Sequence, residues 1–141
     1  MNGNDFVGWI LRSPFHKMMS RVTMLITVTG KKSGRGYTLP VSYYEDGGYL
    51  WIITRRDRTW WKNLQDGGAD VNLLVKRTPL RGFASVESDP KATEARLVQY
   101  FQRFPRAARA MKVRMENGAP HPEDVARVLK ERMFVKVKVA E

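Results

Sequence analysis

Apolar and polar residues alternate along several short runs of the chain, and glycine-rich or charged links separate these runs. A period of two predicts β-strands that bury one face. Links such as Asp46-Gly47-Gly48 and Arg77-Thr78-Pro79 are typical of tight turns between antiparallel strands. The predicted strands are Val22–Thr29, Tyr37–Tyr44, Tyr49–Thr54, Asp70–Lys76, Leu80–Glu87 and Met133–Val139.

Other segments have apolar residues at the three-and-four spacing of an amphipathic helix. The first is an N-terminal helical segment, residues 1–21, which Ser13-Pro14 interrupts. A short helix over residues 59–66 carries Trp60 and Trp61, with Thr59 as its N-cap. The remaining helices fall within residues 89–132: one runs from the Asp89-Pro90 cap to about Phe104, one from Pro105 to Asn117-Gly118, and one starts at Pro122.

The first five strands follow one another with only one short helix between them, which predicts a meander and excludes a βαβ arrangement. A closing strand over residues 133–139 brings the number to six. We therefore expect a mainly β (α+β) fold, a six-stranded antiparallel barrel with peripheral helices. With 141 residues and 43% hydrophobic content, the chain is expected to form a single domain over residues 1–141.

The loop between the first two strands contains three glycines, three cationic side chains and one serine, in the order Gly30-Lys31-Lys32-Ser33-Gly34-Arg35-Gly36. Glycine allows successive backbone N–H groups to face one side, and such a concavity attracts anions, most strongly beside Lys or Arg. The loop lacks the spacing of a Walker loop or a dinucleotide-binding fingerprint. It therefore predicts a phosphate cradle, and a solvated basic hairpin tip remains the alternative.

The composition restricts the kinds of reaction and ligand that the protein can use. The chain has no cysteine and two histidines, which argues against disulfides, thiolate ligands and zinc or triad chemistry, so any redox reaction would need a bound organic cofactor. Lys and Arg outnumber Asp and Glu by 25 to 14, a net charge of +11, which favours polyanions, anionic lipid or a multiply charged small molecule. The sequence contains no recognised nucleic-acid-binding motif. The absence of a basic leader or long apolar run predicts a cytoplasmic protein.

The N-terminal segment could interact with a membrane surface. Trp9, Arg12, Lys17 and Arg21 give this amphipathic segment the aromatic and basic character of an element that lies on anionic lipid. Packing of its apolar side against the barrel is the alternative, because apolar stripes usually belong to the core. A peripheral contact with anionic membrane is therefore an open expectation.

The motifs also occur in a familiar order. Residues 27–35, Leu39-Pro40-Val41, Asp46-Gly47 and residues 60–64 (Trp-Trp-Lys-Asn-Leu) resemble the deazaflavin-dependent nitroreductase family, a branch of the split β-barrel flavin-binding proteins related to FMN-binding proteins. The resemblance covers the chain from Leu11 to about Glu87. It implies that the protein binds coenzyme F420, a deazaflavin with a phosphate and an acidic polyglutamate tail.

The resemblance also implies a reaction and a set of site residues. The reaction is hydride transfer from reduced F420 to an electron-poor acceptor, such as a quinone or nitro compound, in a homodimer. The family holds the phosphate at positions matching Lys32, Ser33, Gly34 and Arg35, and the ring along positions matching Pro40, Val41 and Ser42. Trp60 and Asn63 match the short helix that closes the site.

Two features of the site stay open at this stage. Arg55 and Arg56 either contact the acidic tail or decorate a solvated loop. No residue is assigned to catalysis and none to a metal. The alternatives to F420 are FMN, which shares a phosphate but lacks the acidic tail, and a non-catalytic module that binds lipid or another anionic ligand.

Overall fold

The computed structural model describes residues 22–140, so the predicted N-terminal helical segment, with its proposed membrane contact, lies outside the described part of the chain. Eight strands and four helical segments follow in order. They are β1 (Val22–Thr29), β2 (Gly36–Asp46), β3 (Tyr49–Arg55), a 3-10 helix (Trp60–Leu64), β4 (Ala69–Val75), β5 (Thr78–Val86), α1 (Pro90–Arg103), α2 (Pro105–Ala110), β6 (Met115–Glu116), β7 (Ala119–Pro120), α3 (Pro122–Glu131) and β8 (Arg132–Val139).

Six strands close into an antiparallel barrel in the order β1-β2-β3-β8-β5-β4, which confirms the predicted fold class. The C-terminal strand β8 lies between β3 and β5, with Ile52 opposite Val135 and Ala84 opposite Val137. The pairing of β2 with β3 covers only the end of β2 nearest their hairpin, from Tyr43 onward. The rest of β2 pairs with β1 alone, up to the loop that precedes Gly36.

Tight turns with left-handed backbone connect neighbouring strands. Gly47 and Gly48 join β2 to β3 with φ of 64° and 85°. Lys76 and Arg77 join β4 to β5 with φ of 49° and 67°, so the turn lies one residue earlier than Arg77-Thr78-Pro79 predicts. Two consecutive positive φ angles match the right-handed twist of hairpin strands, which explains why these short links are favoured.

The barrel has two separate hydrophobic clusters. One fills its interior, and the other covers part of its outer wall. The interior cluster includes Met24, Ile26, Ile52, Leu73 and Val135, among others. The second cluster lies between the outer wall of β2, β3 and β8 and the helices. Residues 50–53 of β3 and 133–135 of β8 are buried on both faces, so these stretches are continuously apolar, whereas the second half of β8 keeps the alternation of a half-exposed strand. The wall residues of the second cluster are Tyr44, Trp51, Ile53 and Phe134, and the helical ones include Leu97, Tyr100, Phe101, Val125 and Val128.

The helical region matches the prediction at its start and differs in its middle. Asp89 caps α1 through its side chain, which accepts a hydrogen bond from the Lys91 backbone N–H at 3.1 Å. The second helix was predicted to reach Asn117-Gly118, and this is wrong: α2 ends at Ala110, and Met115 lies in a small β6–β7 hairpin. Asn117 and Gly118, with φ of 53° and 76°, form its turn. Asn-Gly is a strong hairpin signal, and here it outweighs the helical spacing of the methionines.

The predicted short helix after β3 is a single 3-10 segment. Thr59 stands at its N-cap position, as predicted, but makes no side-chain capping bond. Between residues 22 and 140, no helix is both long and apolar enough to cross a membrane.

The outer face of β1, β4 and β5 is not covered by the helices of the described region. Side chains on this face alternate with buried ones, so large apolar groups remain exposed at Leu25 (37%), Leu74 (39%) and Phe83 (46%). Leu25 lies directly opposite Leu74 on β4 and Pro40 on β2. The barrel therefore has a helix-covered side and a bare side.

Candidate functional site

The Gly30–Arg35 loop is a folded hairpin tip and not an open chain. The Gly30 N–H donates to the Arg35 carbonyl at 2.8 Å, and the Gly34 N–H donates to the Gly30 carbonyl at 2.8 Å. A Cβ atom on Gly30 would lie 2.7 Å from the Tyr37 ring and 2.8 Å from Ser33 Oγ, so only glycine fits without displacing a neighbour. Gly34 adopts a φ of 70°, which glycine tolerates best.

The 3-10 helix holds this loop through Lys31. The Lys31 N–H donates to Asn63 Oδ1 at 3.1 Å, and Lys31 Nζ donates to the Gln65 carbonyl at 2.7 Å. Asn63 in turn donates from Nδ2 to the Trp60 carbonyl at 3.1 Å. Both ends of the Asn63 amide are therefore engaged, and its role in the described structure is to join the loop to the helix.

Several hydrogen-bonding groups of the loop have no partner. Among the residues that the structure describes, the exposed Lys32 and Arg35 side chains make no hydrogen bond or ion pair. The backbone N–H groups of Lys32 and Ser33 likewise have no acceptor within residues 22–140, whereas those of Gly30, Lys31, Gly34 and Arg35 are all bonded. Two cations and two N–H donors thus remain free on a loop whose conformation other bonds already fix. Cationic side chains beside free N–H groups are the kind of donors that proteins use to bind anions.

Ser33 contributes mainly to the shape of the loop. Its Oγ accepts a hydrogen bond from the Arg35 N–H at 3.2 Å and shares one with the Tyr37 hydroxyl at 3.3 Å. A hydroxyl oxygen has two lone pairs and a rotatable proton, so Ser33 can still bond to an anion if the contact with Tyr37 rotates away.

The predicted ring-lining residues lie further along β2, away from its glycine-rich end. Pro40 is exposed, Ser42 is half-buried, and Val41 points into the barrel with 8% exposure. Pro40 and Ser42 therefore share the outer face of β2, while the Val41 side chain belongs to the core. Only its backbone could line a ligand on that face.

The two adjacent tryptophans have different environments. Trp60 is 8% exposed, packs in the barrel core and donates from Nε1 to Thr54 Oγ1 at 3.2 Å. Trp61 is half-buried against the same core, and its Nε1 is buried with no hydrogen-bond partner among residues 22–140. A buried donor with no acceptor is costly, so Trp61 is a point where a bound group could supply one.

Arg55 and Arg56 lie beside the C-terminal end of α3. The Arg56 N–H donates to the Glu131 carbonyl at 2.9 Å, and Arg56 Nε donates to the Leu129 carbonyl at 2.8 Å. Arg55 pairs with Asp57 at 2.7 Å. A guanidinium on the last carbonyls of a helix stabilises its negative end, so Arg56 has a structural role. A groove of about 610 Å³ at this place is lined by Arg55, Arg56, Asp57, Lys130, Glu131 and Arg132.

Tyr43 and Tyr44 of β2 are buried phenols. Burial raises the pKa of Tyr43 to about 12, and burial is also the main cause of the raised pKa of Tyr44. Both phenols therefore stay protonated at neutral pH. Within the described residues, no three His, Cys, Asp or Glu side chains are grouped as a metal site would require.

Sequence reasoning missed two parts of this site. The Tyr37 ring closes one side of the loop against Gly30, and the Gln65 carbonyl anchors Lys31 from 34 residues away. The exposed aromatic next to a glycine-rich loop was a usable signal for Tyr37. Backbone carbonyls carry no sequence signal, so the anchor at Gln65 could not have been found in this way.

Comparison with known proteins identifies the fold. No family model matches the sequence, and no curated protein matches it. A Listeria innocua protein described as a pyridoxamine 5'-phosphate oxidase is similar with TM-score 0.58 and 14% identity, over 98% of this chain and 94% of that one. A Bacteroides thetaiotaomicron protein described as a 5-nitroimidazole antibiotic resistance protein has TM-score 0.57 and 13% identity, over 99% and 81%.

A third solved structure, the FAD and heme binding protein of Mycobacterium smegmatis, is similar with TM-score 0.53 and 15% identity, over 86% of this chain and 67% of that one. Identities this low show the fold alone. The chain shares with these structures a six-stranded antiparallel closed barrel with a few helices. Its ligand must be argued from its own residues.

Proposed function

We propose that this protein is a deazaflavin-dependent oxidoreductase that binds coenzyme F420 and transfers a hydride from its reduced form to an electron-poor acceptor such as a quinone or nitro compound. The observation that carries the proposal is the partnerless donor set of the loop: the Lys32 and Arg35 side chains and the Lys32 and Ser33 N–H groups. These donors fit the phosphate of the cofactor.

In this proposal the protein binds and orients, and the deazaflavin supplies the hydride chemistry when it is bound. Lys32 and Arg35 hold the phosphate by charge-assisted hydrogen bonds. Asn63 and Gln65 keep the loop in position through Lys31, so the binding groups are ordered before the ligand arrives. The outer face of β2, with Pro40 and Ser42, is the surface along which we place the ring.

The acidic tail distinguishes F420 from FMN. We assign it to the groove at the end of α3, where four cations, Arg55, Arg56, Lys130 and Arg132, outnumber two carboxylates, Asp57 and Glu131. Arg55 and Arg132 are direct cross-strand neighbours on β3 and β8. Like charges in that position repel each other, and a bound polyanion would relieve the repulsion.

The purified protein is expected to bind F420 more tightly than FMN, because several cationic side chains can meet the tail that FMN lacks. Fluorescence titration of each cofactor at low and at high salt measures this. Added salt should reduce the advantage of F420, since exposed ion pairs are screened. Equal or reversed affinity would favour the FMN alternative, and binding of neither would favour a non-catalytic module for another anionic ligand.

We also propose that the protein forms a homodimer through one end of the bare side, the exposed apolar row of Leu25 and Leu74, which leaves the face around Phe83 uncovered. Leu25 and Leu74 are adjacent, exposed and apolar in this row, and Pro79 extends it across β5. Sedimentation of the wild type is expected to give twice the mass of one chain, and Leu25→Asp with Leu74→Asp to reduce it to one. A wild type that sediments as one chain would contradict the dimer.

A further inference from the structure

A second concave surface lies on the outer wall of the barrel over β4, β5 and β8. It is a shallow groove of about 690 Å³. Its side chains form two cross-strand rows: Asp70, Phe83 and Lys138 face one another in the first, and Asn72 and Arg81 in the second. Three neighbouring strands span about 10 Å, which is the width of a small ring system.

An exposed aromatic ring lines this groove. Phe83 is 46% exposed, although burying a phenyl ring is among the more favourable contributions to folding. Within the described residues no other ring is stacked on it. The Phe83 ring is held on its side by Gly68, where an added Cβ would lie 2.8 Å from it. The ring is therefore positioned and partly free.

The polar groups around Phe83 are also free. Within the described part of the chain, the side chains of Asp70, Asn72, Arg81 and Lys138 make no hydrogen bond or ion pair. Asp70 is not paired with either cation, although all of them line the same groove. Two cations and one carboxylate leave the groove with a net positive charge. The exposed ring offers an apolar contact and the polar groups around it offer hydrogen bonds, the two kinds of contact that small-molecule sites combine.

We propose that this groove binds a planar aromatic compound that carries an anionic group. The aromatic ring stacks on Phe83, and Arg81 and Lys138 bind the anionic group. Asn72 provides one donor and one acceptor for a further polar substituent. The carboxylate of Asp70 opposes the anion, which limits affinity and favours ligands with a single negative charge. This proposal does not depend on the function assigned to the Gly30–Arg35 loop.

The test uses the full-length protein and three probes: sodium 2-naphthoate, its neutral analogue 2-naphthalenemethanol, and the non-aromatic anion cyclohexanecarboxylate. Amide chemical shifts are followed by NMR during each titration. We expect 2-naphthoate to bind at least about fivefold more tightly than either of the other two, with the largest shifts at Arg81, Gly82 and Phe83.

Five variants, one of them a control at a distant site, test the residues. Phe83→Ser and Arg81→Gln are each expected to weaken 2-naphthoate binding by about five- to tenfold, and Asp70→Asn to strengthen it by about two- to threefold. The matched control Lys91→Gln, which removes an exposed cation elsewhere, should have no effect. Phe83→Leu keeps an apolar side chain, so it removes the aromatic ring with less risk of a folding defect than Phe83→Ser.

Four outcomes would contradict the proposed ligand site: no binding of 2-naphthoate, equal binding of all three probes, chemical-shift changes confined to other residues, or a lower affinity in Asp70→Asn. The control Lys32→Ala separates this site from the loop, because it should leave 2-naphthoate binding unchanged even if cofactor binding is lost. If Lys32→Ala abolishes naphthoate binding, the probe occupies the loop and the groove proposal fails.

Discussion

Replacing Lys32 by alanine is expected to lower the affinity for F420 by about 10- to 100-fold. This is the size of one lost charge-assisted hydrogen bond, about 1.5–3 kcal/mol. Lys32 is exposed and has no partner in the described structure, so its side chain is available to a ligand. For the same reason the free energy of unfolding without cofactor should change by less than about 0.5 kcal/mol. Fluorescence titration and urea unfolding measure the two quantities.

Lys31→Ala is the matched control, because Lys31 and Lys32 are adjacent cations on the same loop. The Lys31 ammonium is already bonded to the Gln65 carbonyl and lies 3.5 Å from Asp66. We therefore expect Lys31→Ala to loosen the loop and to weaken cofactor binding less than Lys32→Ala does. A larger effect from Lys31 than from Lys32 would place the phosphate contact one residue earlier. If neither variant changes the affinity, the loop is only a solvated hairpin tip.

Gly68→Ala is expected to destabilise the fold by about 2–4 kcal/mol. Gly68 has a φ of 90°, and an added Cβ would lie 2.6 Å from the Ala84 carbonyl oxygen. The positive φ costs about 1–3 kcal/mol for a residue with a Cβ, and contact with a backbone atom cannot be relieved by a rotamer change. Urea unfolding of the variant and the wild type gives the difference.

Gly67→Ala separates the two causes. Gly67 has a similar φ of 103°, but its Cβ would meet nothing within 4 Å. The free energy of unfolding of this variant should therefore fall only by the cost of the positive φ. If both variants lose the same stability, the close approach of Gly68 to β5 contributes nothing and our account of this corner is wrong.

The fold class could be predicted from the sequence because the strands alternate and strong turn signals separate them. The alternation is clearest on β4, where Val71, Leu73 and Val75 are buried and the residues between them are exposed. The order of the strands could not be predicted, because β8 closes the barrel between β3 and β5 through pairings distant in sequence. Its apolar run around Phe134 is explained only by the helices that cover its outer face.

The sequence was enough to predict the Gly30–Arg35 loop as a candidate anion site. It could not predict which residues hold the loop in place. Glycines and cations close together in sequence indicate an anion site without any tertiary information. The bond from Lys31 to Asn63 joins residues 32 positions apart, and nothing local predicts it. The same limit applies to Arg56, whose bond to the Leu129 carbonyl spans 73 positions and gives a predicted ligand contact a structural role as well.

The most direct test of the central claim is an NMR titration of the 15N-labelled, full-length protein with F420, followed at the backbone amides of the loop. The Lys32 and Ser33 N–H groups have no acceptor in the described structure, so a bound phosphate should shift these two amide resonances most. The Gly30 and Gly34 amides, which already donate to carbonyls within the loop, should shift less. Saturable shifts centred on Lys32 and Ser33 are the predicted result. Tight F420 binding that leaves both resonances unchanged would contradict the assignment of the loop as the phosphate site.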